Sequence, residues 1–538
     1  MKRFDLPLIG LAIVTVCLTG SGCTTHTSNA SATVTSNPSS ELRVVLPIEP
    51  TDLDPARVPD VTTSAIVQNT FEGLTRFNDK NQVEPALASA WDVSADGKSY
   101  TFHLRKGVKF HNGREFTASD VKYSFERALN KTTASAQAAN YLDGIIGLKD
   151  VSDGKSSDLK GVTVLDPLTV KIDIDKPRAY FTGMLTMPQD FIVCREAVES
   201  TGGRVTDKSY VGTGAYKFDS YQPGRQITLA ANPEYWDGAP KCPRIVMEVI
   251  LNAQTAYDNF KTNKVDVSPD MDVLQYSQDL AHNAMRAEYR LTPEASINYV
   301  GLEEVKQPAF QKKEVRQAIG LAIDREEILR VAFKGVGSVA TGILPEGMPM
   351  AGALPPQFHR DVAKAQALLA KAGYPNGKGF PNLTLSYIQQ IPHWESEATV
   401  IRSNLHDALG IDVTLSAREA GDFYTAEQNH KLEMWVGGWV ADYLDPQDFL
   451  STLFVSGRQL NFFDYKNPEF DALCNTADEE LNSDKRAELY SKAHAIAIDD
   501  MAVVPLHFVS RVTLVHTNVK GVRDCALYML PYNLAIKN

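Results

Sequence analysis

The chain is poor in cysteine: six in 538 residues, and no two of them in C-x-x-C spacing. Zinc ribbons and dithiol redox chemistry are thereby excluded as organising themes. Catalytic signatures are missing as well. None of the eleven histidines sits in H-E-x-x-H, there is no G-x-S-x-G, and "GYPNGKGF" from Gly373 lacks the spacing and the hydroxyl residue of a phosphate loop. "DVSADGKSY" from Asp92 has the wrong acidic spacing for a calcium loop and reads as a turn between strands. Positive charge is in deficit, 54 Lys and Arg against 66 Asp and Glu for a net of −12, so a nucleic-acid partner is not expected. No enzymatic chemistry is expected, and no cofactor and no metal.

Long apolar runs are also missing after the first twenty residues. At the start, Lys2 and Arg3 precede the apolar stretch Leu6 to Leu18, and Gly20-Ser21-Gly22 leads into Cys23. That order is a signal peptide over residues 1–22. Gly20-Ser21-Gly22-Cys23 resembles the bacterial lipobox, with Gly20 where Leu is usual; lipidation is expected at Cys23, and Val16 makes Cys17 the poorer site. Residues 23–40, rich in Ser, Thr, Asn and Ala, have nothing to bury and read as a flexible tether. The expected location is the outer side of the cytoplasmic membrane, held by lipid. For the body, Cys194, Cys242, Cys474 and Cys525 allow three pairings; sequence separation favours Cys194–Cys242 with Cys474–Cys525, and buried free thiols are the alternative.

About 500 residues at 43% hydrophobic and 22% charged exceed a single core and imply two or three domains. Mixed helix and strand signals place the chain in the α/β or α+β class. Tyr100, Phe102, Leu104, Val108 and Phe110 fall on even positions and predict a strand, closed by Asn112-Gly113. Thr117, with Asp120 three residues on, predicts a capped helix through Leu129. Further helices are predicted over 313–333, 361–372, 395–409 and 485–499. Strands are predicted over 383–387, 412–415 and 432–439, an alternation that suggests a partly parallel sheet.

One stretch is chemically unusual. "GGWVADYLDP", Gly437 to Pro446, sets Asp442 and Asp445 among tryptophan, valine, tyrosine and leucine. A carboxylate that loses water to apolar neighbours needs a cation, backbone donors or a positively charged ligand. Asp445 and Asp448 are expected to cap the helix holding Phe449 and Leu450.

Six ordered segments carry a family resemblance: "EPTDLDP" from Glu49, "FEGLTRFN" from Phe71, Pro85 to Leu129, "VGTGAYKF" from Val211, "NPEYWDG" from Asn232 and "VRQAIGLAIDREEI" from Val315. Together they resemble the solute-binding proteins of peptide-type ABC importers, the oligopeptide- and dipeptide-binding family, over nearly the whole mature chain. The resemblance implies an α/β, two-lobed periplasmic-binding-protein-like fold of class II with an extra small domain and hinge closure around the ligand. It implies one lobe from 41–61, 206–294 and 509–538, an additional small domain at 62–205, a second lobe at 295–508, and a hinge near Ala295 and Val509. The protein would be a monomer that hands its peptide to the permease subunits and their ATPases.

The resemblance also implies site residues. Gly438, Trp439, Val440 and Ala441 would pair with the peptide backbone as an added strand, and Asp442 would take its α-ammonium. Glu49, Pro50 and Thr51 would run beside the peptide, while His507 and Phe508 would line a pocket or pack as core, as would Trp439. Tyr141 is a further cleft candidate. "SYIQQIPHWESEATVIR" offers no arginine before Arg402, which argues against a strict dipeptide receptor; Ala420 stands where oligopeptide binders carry tryptophan, and Val440 where they carry cysteine. The alternatives are a nickel-chelate or haem receptor using His393 and His430, and, from another class, a secreted two-lobed hydrolase.

Overall fold

In the computed structural model of the protein, residues 41–538 are described, apart from 283, 347, 349–358, 392 and 529. Cys23, the signal peptide and the tether lie outside the described residues.

The capping and parity signals translate directly into elements. Asp120 accepts from the backbone N–H of Thr117 at 2.9 Å and from its hydroxyl at 3.1 Å, and the helix runs Ala118–Leu129. The helices Val362–Lys371, Trp394–Leu409 and Ser483–Asp499 and the strands Leu383–Ile388, Val413–Arg418 and Met434–Val440 lie within one to three residues of their predicted spans. Two spans are corrected. The predicted helix 313–333 is two helices, Lys313–Ala322 and Arg325–Val331, because the Asp324 carboxylate accepts from Glu327 N–H at 2.9 Å and starts a new helix. The predicted strand from Tyr100 stops at Leu104, since the chain then turns through Gly107 at φ +78°; Val108 and Phe110 are buried beyond the turn.

The principal sheet has eleven strands. Its spatial order runs Val413–Arg418, Leu383–Ile388, Met434–Val440, Tyr289–Leu302, Val504–Val515, Val267–Ser268, Glu41–Leu46, Arg244–Val249, Gln226–Ala231 and Tyr216–Gln222, with Ser338–Val339 pairing to Val504–Val515. The expected parallel pairing is present: Leu383–Ile388 runs parallel to both Val413–Arg418 and Met434–Val440. A four-stranded antiparallel sheet, in the order Ala88–Val93, Ser99–Leu104, Thr169–Asp173, Val162–Asp166, has its own core with Phe102, Val121, Phe125 and Val170 fully buried. The largest core draws mainly on residues between Ala295 and Phe508.

The two longest strands of the large sheet, Tyr289–Leu302 and Val504–Val515, pair antiparallel with a break: Pro293 faces Ser510, and the next pair is Ile297 with Phe508. The first strand therefore carries extra residues between Pro293 and Ile297, a bulge that bends the ladder. It lies at Ala295 and Val509.

Cys194, Cys242, Cys474 and Cys525 are all buried and none is joined to another in a disulfide, so the favoured pairings are corrected. Cys194 Sγ accepts from Asn112 Nδ2 at 3.5 Å, and the Cys242 thiol donates to the Arg244 carbonyl at 3.2 Å.

Candidate functional site

The site is built on the strand Met434–Val440. Its glycines permit close approach: a Cβ at Gly437 would come 2.8 Å from the Tyr299 ring, and one on facing Gly301 would come 2.2 Å from the Trp435 indole. One edge of this strand is fully paired, from Leu302↔Met434 to Ser296↔Val440. The other edge pairs only at Leu385↔Met434 and Ser386↔Trp435. From Val436 to Val440 that edge has no strand beside it among the described residues, and Gly438 and Val440 are exposed, Val440 to 48%. An unpaired, solvent-exposed edge is a template for another extended chain.

Immediately beyond the open edge stands Asp442. Its backbone N–H donates to Asp448 Oδ2 at 2.9 Å, and its carboxylate accepts a hydrogen bond from the Tyr141 hydroxyl, from the short helix Ala138–Tyr141 more than 290 residues earlier. Burial lifts the Asp442 carboxyl to about 6, with Tyr141 pulling the other way. Asp448 is buried, and the expected cap role is corrected: its Oδ2 also accepts from Trp439 Nε1 at 3.1 Å, so it ties the end of the strand to the turn. Burial and the neighbouring Asp442 charge push its carboxyl well above the usual range. The cap is Asp445 alone, which accepts from Gln447 N–H at 2.9 Å and is held by Arg486 at 2.7 and 2.6 Å. No lysine or arginine forms an ion pair with Asp442 or Asp448 among the described residues. Desolvated negative charge in this corner lacks a cation.

Tyr141 sits in a polar stretch of sequence, and only the fold brings it to Asp442. Asp190 was not singled out. It is 1% exposed with neither carboxylate oxygen hydrogen-bonded, and its charge acts on Tyr141. Beside them Tyr180 and Tyr443 stack at 5.8 Å with rings 4° from parallel.

A cavity of about 180 Å³ adjoins Val440, with Pro47, Val61, Thr62 and Tyr528 on its walls and an ion pair, Arg511 Nε to Glu294 Oε1 at 2.9 Å, at its edge. It can take an apolar side chain beside the open strand edge.

The remaining residues are placed differently. The Glu49 carboxylate accepts from the Tyr221 hydroxyl and from Gly224 N–H at 3.0 Å, and the Pro50 carbonyl accepts from Tyr221 at 3.2 Å, so that side chain braces a hairpin; Thr51 is exposed. His507 and Phe508 are core, not cleft wall: both are buried, and His507 lies 3.3 Å from Glu397 and 4.2 Å, centroid to centroid, from the Phe333 ring. Trp439 is half-buried. His393 lies 3.7 Å from Asp272, and His430 lies 3.1 Å from Asp464.

Comparison with known proteins gives a consistent result. The model for bacterial extracellular solute-binding proteins, family 5 Middle, matches residues 82–461. The oligopeptide-binding protein OppA of Bacillus subtilis is 28% identical over 97% of this chain and 97% of its own. Heme-binding protein A of Haemophilus influenzae is 30% identical over 85% of each. Among solved structures, the Escherichia coli murein tripeptide binding protein MppA superposes with a TM-score of 0.77 at 26% identity, covering 92% of this chain and 98% of that one.

Proposed function

Because the chain belongs to the bacterial extracellular solute-binding proteins of family 5, we propose that it captures peptides between two lobes and delivers them to the permease of an ABC importer, without turning them over. The open strand edge from Val436 to Val440, ending at a carboxylate with no cation, carries this reading. A peptide laid along Gly438 to Ala441 extends the sheet by one strand, and its backbone replaces water at the free N–H and C=O groups. Its α-ammonium then reaches Asp442, where Tyr141 already supplies one hydrogen bond and fixes the carboxylate in place. The lobes are 41–61, 206–294 and 509–538, with the small domain 62–205, against 295–508, and the hinge is at the bulge beside Ala295 and Val509. The cavity beside Val440 receives a side chain, while Glu49, Pro50 and Thr51 border the opposite wall. The relatives named for oligopeptides and a murein tripeptide support a peptide cargo. His393 and His430, which a chelate or haem receptor would aim at its cargo, are engaged by Asp272 and Asp464.

Mass spectrometry of the ligand released by mild denaturation tests the cargo; recovery of a tetrapyrrole or a metal chelate in place of peptides would overturn the reading. The Asp442 titration gives a second test. A carboxyl at about 6 is charged at pH 7.5 and about nine-tenths protonated at pH 5, whereas the peptide ammonium stays charged. Affinity should therefore fall about tenfold between these two pH values, with protons released on binding below pH 6. Fluorescence titration across this range checks it, and an affinity that rises on acidification would reverse the sign.

We also propose that Cys23 carries the lipid that holds the mature protein outside the cytoplasmic membrane. Replacing it, Cys23→Ser, should move the protein from the membrane fraction to the soluble one. Retention in the membrane with no loss of lipid mass would exclude the anchor.

A further inference from the structure

Outside the cleft, Glu303, His430 and Asp464 come together from three separated segments. Glu303 follows the strand Tyr289–Leu302, His430 follows the helix Ala420–Gln428, and Asp464 lies in the loop between the helices Pro446–Phe454 and Pro468–Glu479. His430 Nδ1 stands 3.1 Å from Asp464 Oδ2 and 3.7 Å from Glu303 Oε1, and one ligand atom from each residue lies within 4.8 Å of the others. Among the described residues neither carboxylate has a lysine or arginine ion-pair partner; His430 is the one basic side chain on either.

The separations fit a metal. Zinc binds imidazole nitrogen and carboxylate oxygen at about 2.0–2.2 Å, so the edge of its tetrahedron is about 3.3–3.6 Å. The observed 3.1 and 3.7 Å lie on either side of that length. The ligands are also held in place. Glu303 accepts from the backbone N–H groups of Val305, at 3.4 Å, and Lys306, which orient its carboxylate as outer-shell partners orient the ligands of a metal site. Its side chain is 1% exposed while that of His430 is 40% exposed, so the site is anchored at its base and open to solvent at its rim. An alternative filling, a proton shared by the carboxyls with a charged imidazole, satisfies the same atoms less fully: a dication neutralises both carboxylates and leaves the histidine neutral.

We propose that Glu303, His430 and Asp464 bind one zinc-like divalent transition-metal ion, with water at the fourth position, at a site separate from the peptide cleft. One nitrogen and two oxygen ligands suit zinc better than magnesium or calcium, which prefer six or more oxygens. The ion ties the end of a central strand to two loops of the same large core.

Isothermal titration of the chelator-stripped, purified protein with ZnCl2 tests this. One ion per chain is expected to bind, with affinity falling at least tenfold in His430→Ala and likewise in Asp464→Asn. Circular dichroism and peptide affinity of both variants should match the parent, which separates loss of a ligand from loss of the fold. Absence of zinc binding by the parent, or retention of parental affinity in either folded variant, would overturn the site.

Discussion

Asp442→Asn should weaken the binding of a free-amine peptide by roughly two to four decades, about 3–5 kcal/mol. The amide keeps the size of the side chain and its contact with Tyr141 but removes the charge, leaving the ligand's ammonium desolvated opposite a neutral group. The surroundings cannot compensate: Asp448 is already committed to Trp439 and to the Asp442 backbone, and Arg486 is held by Asp445. Acetylating the peptide's N-terminus should cost the parent a similar amount and the variant little more, because both changes delete the same pair. Calorimetry on the four combinations measures the coupling. Equal affinity of the parent for free and acetylated peptide would mean that Asp442 serves its own turn, and the search should then move to ligands without an amine.

The second large effect is on stability. Arg486 is 2% exposed and holds Asp445 through two short bonds while its Nε donates to the Ala477 carbonyl at 3.0 Å. In Arg486→Met the Asp445 carboxylate stays buried without its counter-charge, beside Asp448, whose ionisation the Asp445 charge already disfavours. Losing one partner of such a pair costs about 3–5 kcal/mol. Most of that penalty is the stranded charge, so adding Asp445→Asn, which preserves the cap on Gln447 N–H, should recover a large part of it. Urea unfolding of the single and double variants decides between these outcomes. A double variant no more stable than the single one would place the cost in lost packing of the arginine stem and not in the stranded carboxylate.

Binding and stability meet in this corner for one reason. The turn from Asp442 to Asp448 packs four acidic and aromatic groups together, and among the described residues only one of its carboxylates, Asp445, has a protein cation. Under the proposed function, the charge left on Asp442 is unfavourable in the empty protein and would become favourable with a ligand ammonium in place, converting desolvation into selectivity.

Local chemistry was legible in the residues alone. The even-numbered apolar positions from Tyr100 to Leu104, the Thr117 and Asp120 cap, and the helix-strand alternation from Leu383 onward depend on contacts within a few residues, and they formed as read; the family resemblance is met by a family match over residues 82–461. An acid set in an apolar strand was visible as an anomaly for the same reason: the cost of burying a charge follows from its neighbours in sequence. What answers that charge was not visible. Tyr141 reaches Asp442 from 301 residues earlier in the chain, Asp448 folds back to hold Trp439, Glu49 is taken up by Tyr221, and His507 and Phe508 turn inward, each by packing that no periodicity encodes. The free strand edge likewise exists only because Leu383–Ile388 stops pairing after Trp435. Which backbone groups stay unpaired is a property of sheet register, and register is decided when the strands meet.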